Sequence, residues 1–385
     1  MTPGLVERDG ETHVRIMKGL VLSKGRTAAL VVGIALLLAV PDVARFSDQV
    51  QLGVIQRGLL FGFAAVGLNL LLRHTRLASF GHAAFFGTGA YTAAFLATRY
   101  DVSSVVLLLV AGVLGATLMA AVLGALSLRH TGLYFSLLTL AFGQLLYAIV
   151  VKQNELLGGT DGLSVRPGES GVPLLGGVAF EPEVYSILMY YLSVVLLLLA
   201  LALMYRIVQS PFRYALDAVG QQRTRAEFIG LPVQRYIWVA FVISGVYGGI
   251  AGALFAVIRQ YVSPEGTLYF LTSGDILFMA ILGGFRTLVG PLVGGIALVF
   301  VQDVGQDFTT YYEALTGVVL LVLVFGFPEG IVGSLRRGGR VREAIDALRR
   351  DPGVVGNWAG ESRSTLSDAI RRAGTALRIL VFGVS

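Results

Sequence analysis

Cysteine is absent from all 385 residues. Disulfides, thiolate metal sites and thiol nucleophiles are therefore excluded, whatever the compartment. Histidine is scarce: the residues at 13, 74, 82 and 130 are too scattered to read as a metal-ligand cluster. None of the lysines, Lys18, Lys24 and Lys152, follows a glycine. A Walker A phosphate loop is thus impossible, and the chain is not a P-loop ATPase. Charge is thin as well, at 14% of residues against roughly 25% in soluble domains. Apolar residues fill the space: 55% of the chain is hydrophobic and the mean hydropathy is +0.75. They gather into runs too long for strands and too continuous for amphipathic helices, which leaves an all-α polytopic membrane protein.

A helix needs about 20 apolar residues to cross a hydrocarbon core roughly 30 Å thick. Ten candidate spans lie near 27–40, 50–72, 77–98, 102–128, 132–151, 184–205, 236–258, 272–285, 288–301 and 312–327. The first, eighth and ninth are short, about 14 residues each, and by length could be re-entrant or interfacial, so the expectation is about 8 to 10 transmembrane helices. Gly283, Gly284, Phe285 and Arg286 predict a tight turn between the eighth and the ninth. Basic residues stay cytoplasmic in short loops. With the N-terminus inside, only Arg45, Arg99, Lys152, Arg166 and Arg259 fall outside and Arg57 lies within a span, out of 30 lysines and arginines. Both termini are thus expected in the cytoplasm. No cleavable signal peptide is expected, because Met1–Arg26 is mixed and charged and nothing rich in small residues follows before Pro41.

Three regions follow: a cytoplasmic extension at 1–26, a transmembrane domain at 27–335 and a basic cytoplasmic tail at 336–385. In the tail, Leu366, Ile370, Ala373, Leu377 and Leu380 fall at helical spacing among arginines. That pattern suits either a cationic amphipathic helix on the inner leaflet or a solvated tail. Glycine makes up 49 residues and concentrates in the spans, which predicts close helix packing, with Gly248 and Gly252 a small-xxx-small pair.

The longest inner loop, 206–235, is divided by Pro211, Gly220, Gly230 and Pro232 into two short helices, Phe212–Val219 and Arg223–Ile229. It could be an ordinary basic inner loop or a docking surface. Its Ala218, Gly220, Ile229, Leu231 and Pro232 resemble the coupling loop of ABC importer permeases. The likeness extends through GLNLLLRHTRLASFGHAAFFGTGAYTAAFL at 67–96, TGLYFSLLTLAFGQLLYAIVVKQNELLGGTDGL at 131–163, FVISGVYGGIAGALFA at 241–256, MAILGGFRTLVGPLVGG at 279–295 and FGFPEGIVG at 325–333. Over roughly 30–335 the chain resembles the branched-chain amino acid ABC permease family, and most of all the larger of its two paired permeases. Arg76 and Leu77 stand where that family usually has Gly-Gln, and Gln221 where it often has an acidic residue.

The resemblance implies a ten-helix importer permease in a prokaryotic cytoplasmic membrane. It implies a heterodimer with a second permease, two cytoplasmic ATPase subunits that bind the ATP, and an extracytoplasmic substrate-binding protein. Leucine, isoleucine and valine are the implied cargo. No nucleic acid partner, no catalytic residue and no metal or other cofactor in the chain itself are expected. The residues implied to meet the ATPases are Phe212, Ala215, Ala218, Gly220, Ala226, Ile229, Gly230, Leu231 and Pro232. Gly158, Gly159, Thr160 and Asp161, in a flexible and polar outer loop, are candidates for touching the binding protein.

Ser79, His82, Thr88 and Tyr91 bring polar groups to lipid depth and are candidates for lining the translocation path. For His82 the competing reading is a bond to a neighbouring helix's backbone. Arg57, inside the second span, needs to snorkel or to find an acid, and Asp275 is the carboxylate placed within a span. Other readings stay open: a related ABC permease for urea, short amides or aromatic acids, or a secondary transporter driven by an ion gradient, for which Asp275 is the main basis.

Overall fold

The computed structural model describes residues 4–8, 11–17, 20–23, 33, 35, 37–41, 52–165 apart from Thr131, 182–308, 311–326 and 329–336. Calls on the tail beyond 336, on most of the first span and on the outer segment 166–181 lie outside the described residues. Three strands, β1 (Gly4–Arg8), β2 (Glu11–Met17) and β3 (Leu20–Ser23), form an antiparallel sheet in the order β1-β2-β3 where only a mixed, charged extension was expected. From residue 52 the described residues are nearly all helical. Helix α1 (Leu52–Leu70) continues into a π-helical turn at Leu71–Thr75, and α2 covers His82–Arg99. Next come α3 (Val105–Ser127), α4 (Leu133–Lys152) and the single turn α5 (Asn154–Leu157). After strand β4 (Leu163–Ser164) follow α6 (Pro182–Gln209), α7 (Pro211–Gln221), α8 (Arg223–Phe228) and α9 (Val233–Arg259). Strand β5 (Tyr261–Val262) precedes α10 (Pro264–Thr267), α11 (Phe270–Gly283), α12 (Gly290–Phe308), α13 (Tyr312–Gly326) and α14 (Ile331–Arg336). By contacts the chain divides at Val332/Gly333.

Six helical segments among the described residues are long and apolar enough to cross a membrane, beginning at Leu52, Val105, Leu133, Val184, Val233 and Pro264. The chain is a multi-pass membrane protein. Span boundaries differ from the sequence reading at several places, and the eighth, expected as a short piece at 272–285, falls in a 20-residue segment, Pro264–Gly283. The third span starts at His82 and not near 77, because Arg76 takes a left-handed φ of 55° that ends the preceding turn and leaves 76–81 irregular. The ninth runs Gly290–Phe308, a full-length helix of 19 residues, because Gln302 and Asp303 continue it past the apolar run. The turn expected at Gly283–Arg286 is present, with Gly284 at φ 104°. It must be glycine: φ there is open only to a residue without a Cβ.

Helix α9 is the centre of the bundle, and small residues let it be so. A methyl on Gly252 would run into the Phe86 carbonyl on α2, and one on Gly249 into the Ala116 side chain on α3. Close backbone approach of this kind is how helices associate in lipid, where apolar burial gives little drive. The expected pairing of Gly248 and Gly252 is thus met, with both facing α2. Phe61, Phe86 and Phe255 fill the space that the glycines leave, Phe61 and Phe86 stacking at 5.0 Å.

Candidate functional site

Helices α7 and α8 fall where two short helices were expected, each within two residues of its anticipated ends. Pro211 starts α7, with its fixed φ and missing N–H at a position where neither costs anything. Gly230, at φ 85°, turns the chain after α8, and its N–H bonds the Glu227 carbonyl at 2.9 Å. One side of this pair packs against the bundle: Leu216 is fully buried, Val219 and Ala226 nearly so, and the Phe212 ring stacks on Tyr236 at 5.7 Å. The other side is exposed and sets a few large apolar side chains among polar ones such as Gln221, Arg225 and Glu227. Tyr214 is 67% exposed, Phe228 86% and Ile229 75%. Tyr214 and Phe228 were not singled out in sequence; large rings beside basic residues were the signal available.

The closest approach of the bundle to α7 is at Gly220. Gly220 lies so close to the end of the π-helical turn that a methyl there would meet the His74 carbonyl. Beside it, His74, 3% exposed, bonds Asp217 through Nδ1 at 2.6 Å, and the Arg213 Nε donates to the other carboxylate oxygen at 3.1 Å. An ionised carboxylate can only accept, so the His74 proton sits on Nδ1. Burial alone would raise the Asp217 carboxyl, but the hydrogen bonds from His74 and Arg213, with the Arg213 charge, hold it below its ordinary value. Arg223 on α8 is shifted down, since partial burial disfavours its charge more than Glu227 favours it. None of His74, Arg213 or Asp217 was selected in sequence.

The candidate site residues therefore divide. Ile229, Gly230 and Pro232 are exposed, Phe212, Ala215, Ala218 and Leu231 are half-buried, and Ala226 is turned inward. Gly220 sits against the bundle, packed on the His74 carbonyl.

The polar cluster around His82 is built differently from the sequence expectation. Ser79 lies in the irregular segment between helices and His82 is the first residue of α2, so both sit at a helix end and not deep in a span. His82 Nε2 bonds the Ser244 hydroxyl at 2.6 Å, a side-chain partner on α9 where a backbone partner was expected, and both residues are fully buried. The segment is pinned by its neighbours: Ser136 donates to the Ala78 carbonyl at 2.6 Å, Ser273 accepts from the Ala83 N–H at 2.8 Å and Thr139 from the Phe80 N–H at 3.3 Å. Thr88 accepts the Thr92 hydroxyl proton at its carbonyl, and Tyr91 is 5% exposed with its hydroxyl unpartnered. This is an interior seam that holds α2, α4, α9 and α11 in register. Replacing Ser244 by alanine leaves the His82 imidazole without its partner and is expected to cost about 1–3 kcal/mol. The check is a lower thermal midpoint of the detergent-solubilised chain, with His82→Ala giving a similar loss.

Arg57 and Asp275, the charges expected to meet, are near enough to attract each other. Asp275 also accepts a hydrogen bond from Gln302 at 3.2 Å, and the Arg57 guanidinium lies over the Phe61 ring at 5.8 Å.

At the opposite end from α7, the glycine-rich outer segment is a built turn and not a flexible one. Gly158, Gly159 and Gly162 have φ of 75°, 55° and 71°, and a methyl on any of them would strike a neighbouring atom. The turn is closed by pairing of β4 with β5, by the Val165 N–H on the Gln260 carbonyl at 2.8 Å and by the Tyr261 hydroxyl on the Asp161 carbonyl at 2.7 Å. Thr160 and Asp161 remain exposed; Gly159 is buried.

Residues 51–327 match the family model described as branched-chain amino acid transport system / permease component. The chain is 27% identical over 294 residues to the high-affinity branched-chain amino acid transport system permease protein LivM of Escherichia coli K12, covering 72% of this chain and 69% of that one. It is 23% identical over 310 residues to the permease protein BraD of Pseudomonas aeruginosa, across 76% and 97% of the two chains. To the probable permease protein LivH of Methanocaldococcus jannaschii it is 22% identical over 294 residues, 73% and 91% of each. No solved structure matches.

Proposed function

From the premise that this chain belongs to the branched-chain amino acid transport permease family, we propose that it is one permease subunit of an ATP-driven importer for leucine, isoleucine and valine. It lies in a prokaryotic cytoplasmic membrane with both termini inside, pairs with a second permease, and receives its cargo from an extracytoplasmic binding protein at the Thr160–Asp161 turn. Two ATPase subunits bind the ATP and dock on α7 and α8. The observation that carries this reading is a set of exposed large apolar side chains, Tyr214, Phe228 and Ile229, on helices held to the bundle through Gly220 and Asp217 among other contacts.

Such a mount converts movement into transport. ATP-driven closure displaces α7, and the contact with His74 passes the displacement to the inner end of α1, which packs along α9 and α12. The bundle then exchanges inward-open for outward-open, two populations biased by nucleotide.

The test is reconstitution. The purified chain alone is expected to hydrolyse no ATP and move no leucine. With its ATPases, second permease and binding protein in vesicles, leucine is expected to stimulate hydrolysis and to accumulate. Uptake by this polypeptide alone under an ion gradient would overturn the proposal and favour a secondary transporter.

A further inference from the structure

At the end of the bundle away from α7, α1, α6 and α9 enclose a cavity of about 260 Å³. All three helices belong to segments long and apolar enough to cross a membrane, and the cavity lies where α1 and α6 begin and α9 ends. Its character changes with depth. Gly53 and Arg259 are exposed at the mouth. About 10 Å further along α1, at 1.5 Å per residue, the lining is apolar: Leu60 and Met189 are buried, Phe255 and Ile258 half-buried. The two cations on the lining also differ. Arg57 is engaged within the chain by Asp275 and the Phe61 ring, whereas Arg259 stands exposed at the last position of α9. No aspartate or glutamate is among the described residues that line the cavity.

We propose that this cavity holds a membrane phospholipid, with the phosphate on Arg259 at the mouth and part of one acyl chain laid along Leu60, Met189, Phe255 and Ile258. An apolar floor stays dry, and its side chains lose dispersion contacts for as long as nothing fills the space. The bilayer always has a filler at hand. A cavity of about 150 Å³ takes a benzene ring, so by the same ratio one of 260 Å³ takes on the order of ten chain carbons. Charge agrees with shape. A guanidinium meets a phosphate with paired, charge-assisted hydrogen bonds, and the end of a spanning helix puts it at the level of the headgroups. An amino acid fits less well, because its ammonium group would lie near Arg259 with no carboxylate in the lining to receive it. The site is preformed: the Tyr185 hydroxyl donates to the Val257 carbonyl at 2.9 Å and ties α6 to α9 beside the cavity. A lipid seated there packs α1 against both helices at the end opposite its contact with α7. The inference does not depend on the cargo.

The experiment uses the full chain, stripped of native lipid in mild detergent, and counts bound phosphatidylglycerol by native mass spectrometry as it is added. One site is expected to fill at a concentration tenfold or more below the rest. Diacylglycerol, which has the chains and no phosphate, should bind that site tenfold or more weakly, and glycerophosphate, which has no chains, should not displace the lipid. Arg259→Gln should weaken phosphatidylglycerol at the first site tenfold or more and leave diacylglycerol unchanged. Gly53 has open space where a side chain would go, so Gly53→Phe should close the mouth without disturbing packing and abolish the first site. Leu118→Phe, on the exposed face of α3, should leave it intact. Because the chain has no cysteine, a fluorophore on the Gly53→Cys variant is unique, and phosphatidylglycerol with brominated chains should quench it saturably at the same lipid ratio. That readout covers the case in which Arg259→Gln or Gly53→Phe fails to fold. Equal binding of diacylglycerol and phosphatidylglycerol, or a first site unchanged in both Arg259→Gln and Gly53→Phe, would overturn the proposal. So would displacement by glycerophosphate, which would make this a site for free phosphates, or by L-leucine, which would give the cavity to the cargo.

Discussion

Phe228→Asp is expected to release the ATPase subunits from the detergent-purified complex, with affinity falling about 30-fold or more. Interfaces draw most of their free energy from a few large side chains that become fully desolvated, and losing one costs about 2 kcal/mol or more. Phe228 is 86% exposed in the single chain and its neighbour Ile229 75%, so both surfaces are free to be covered. The substitution adds a burial penalty for the new charge to the lost apolar contact. Because the side chain touches little of its own bundle, the variant should fold and insert normally, and its thermal midpoint should match the parent's. Ile229→Asp should act in the same direction with a smaller effect. The measurement is co-purification with the ATPases, followed by titration of ATPase into reconstituted chain. A Phe228→Asp complex that retains its ATPases in full would show that α8 is not the docking surface.

The placement of the two short helices was legible in the sequence because proline and glycine act locally: Pro211 and Gly230 set their own backbone whatever the rest of the fold does. The helical, multi-pass character was legible for the same kind of reason, since hydropathy is summed over adjacent residues, whereas six described segments meet the length and apolarity of a span where 8 to 10 were expected. Long-range partners were not. His74 and Asp217 are 143 residues apart, and His82 and Ser244 are 162 apart. No periodicity links them, and a histidine near a span end has many possible fates. The outer turn was misread because glycines allow two opposite things, a loose chain or a tightly specified one. At Gly158, Gly159 and Gly162 the positive φ and the absence of room for a methyl decide for the second. Arg57 and Asp275 could be joined because charges within spans are few, whereas the further contacts to Gln302 and Phe61 come from groups whose polarity and aromatic faces hydropathy averages conceal.

The second large effect is expected at the grip itself. Asp217→Leu should leave the ATPases bound and hydrolysing while leucine uptake falls tenfold or more, because the proposed docking residues on α7 and α8 are not the residues that meet His74. Tyr214 and Phe228 face outward, whereas Asp217 reaches back to His74 and Gly220 rests against the His74 carbonyl. Removing the carboxylate strands the buried His74 Nδ1–H and frees Arg213, at a cost of about 1–3 kcal/mol, or a factor of about 5 to 150 in how firmly α7 stays attached. When the helix moves without carrying the end of α1, the ATPases hydrolyse ATP to no purpose. Acid tests the same contact. The Asp217 value in the fold lies below its ordinary 3.8, so the contact's contribution is complete above pH 3.8 and is lost only as the pH falls through the lower folded value. Protonation of His74 would strengthen the attraction to Asp217. Uptake per ATP should therefore hold steady from pH 8 to pH 5 in the parent, and a steep loss within that window would mean that a different pair carries the stroke. Equal loss of hydrolysis and uptake in Asp217→Leu would place the residue in docking and remove it from transmission.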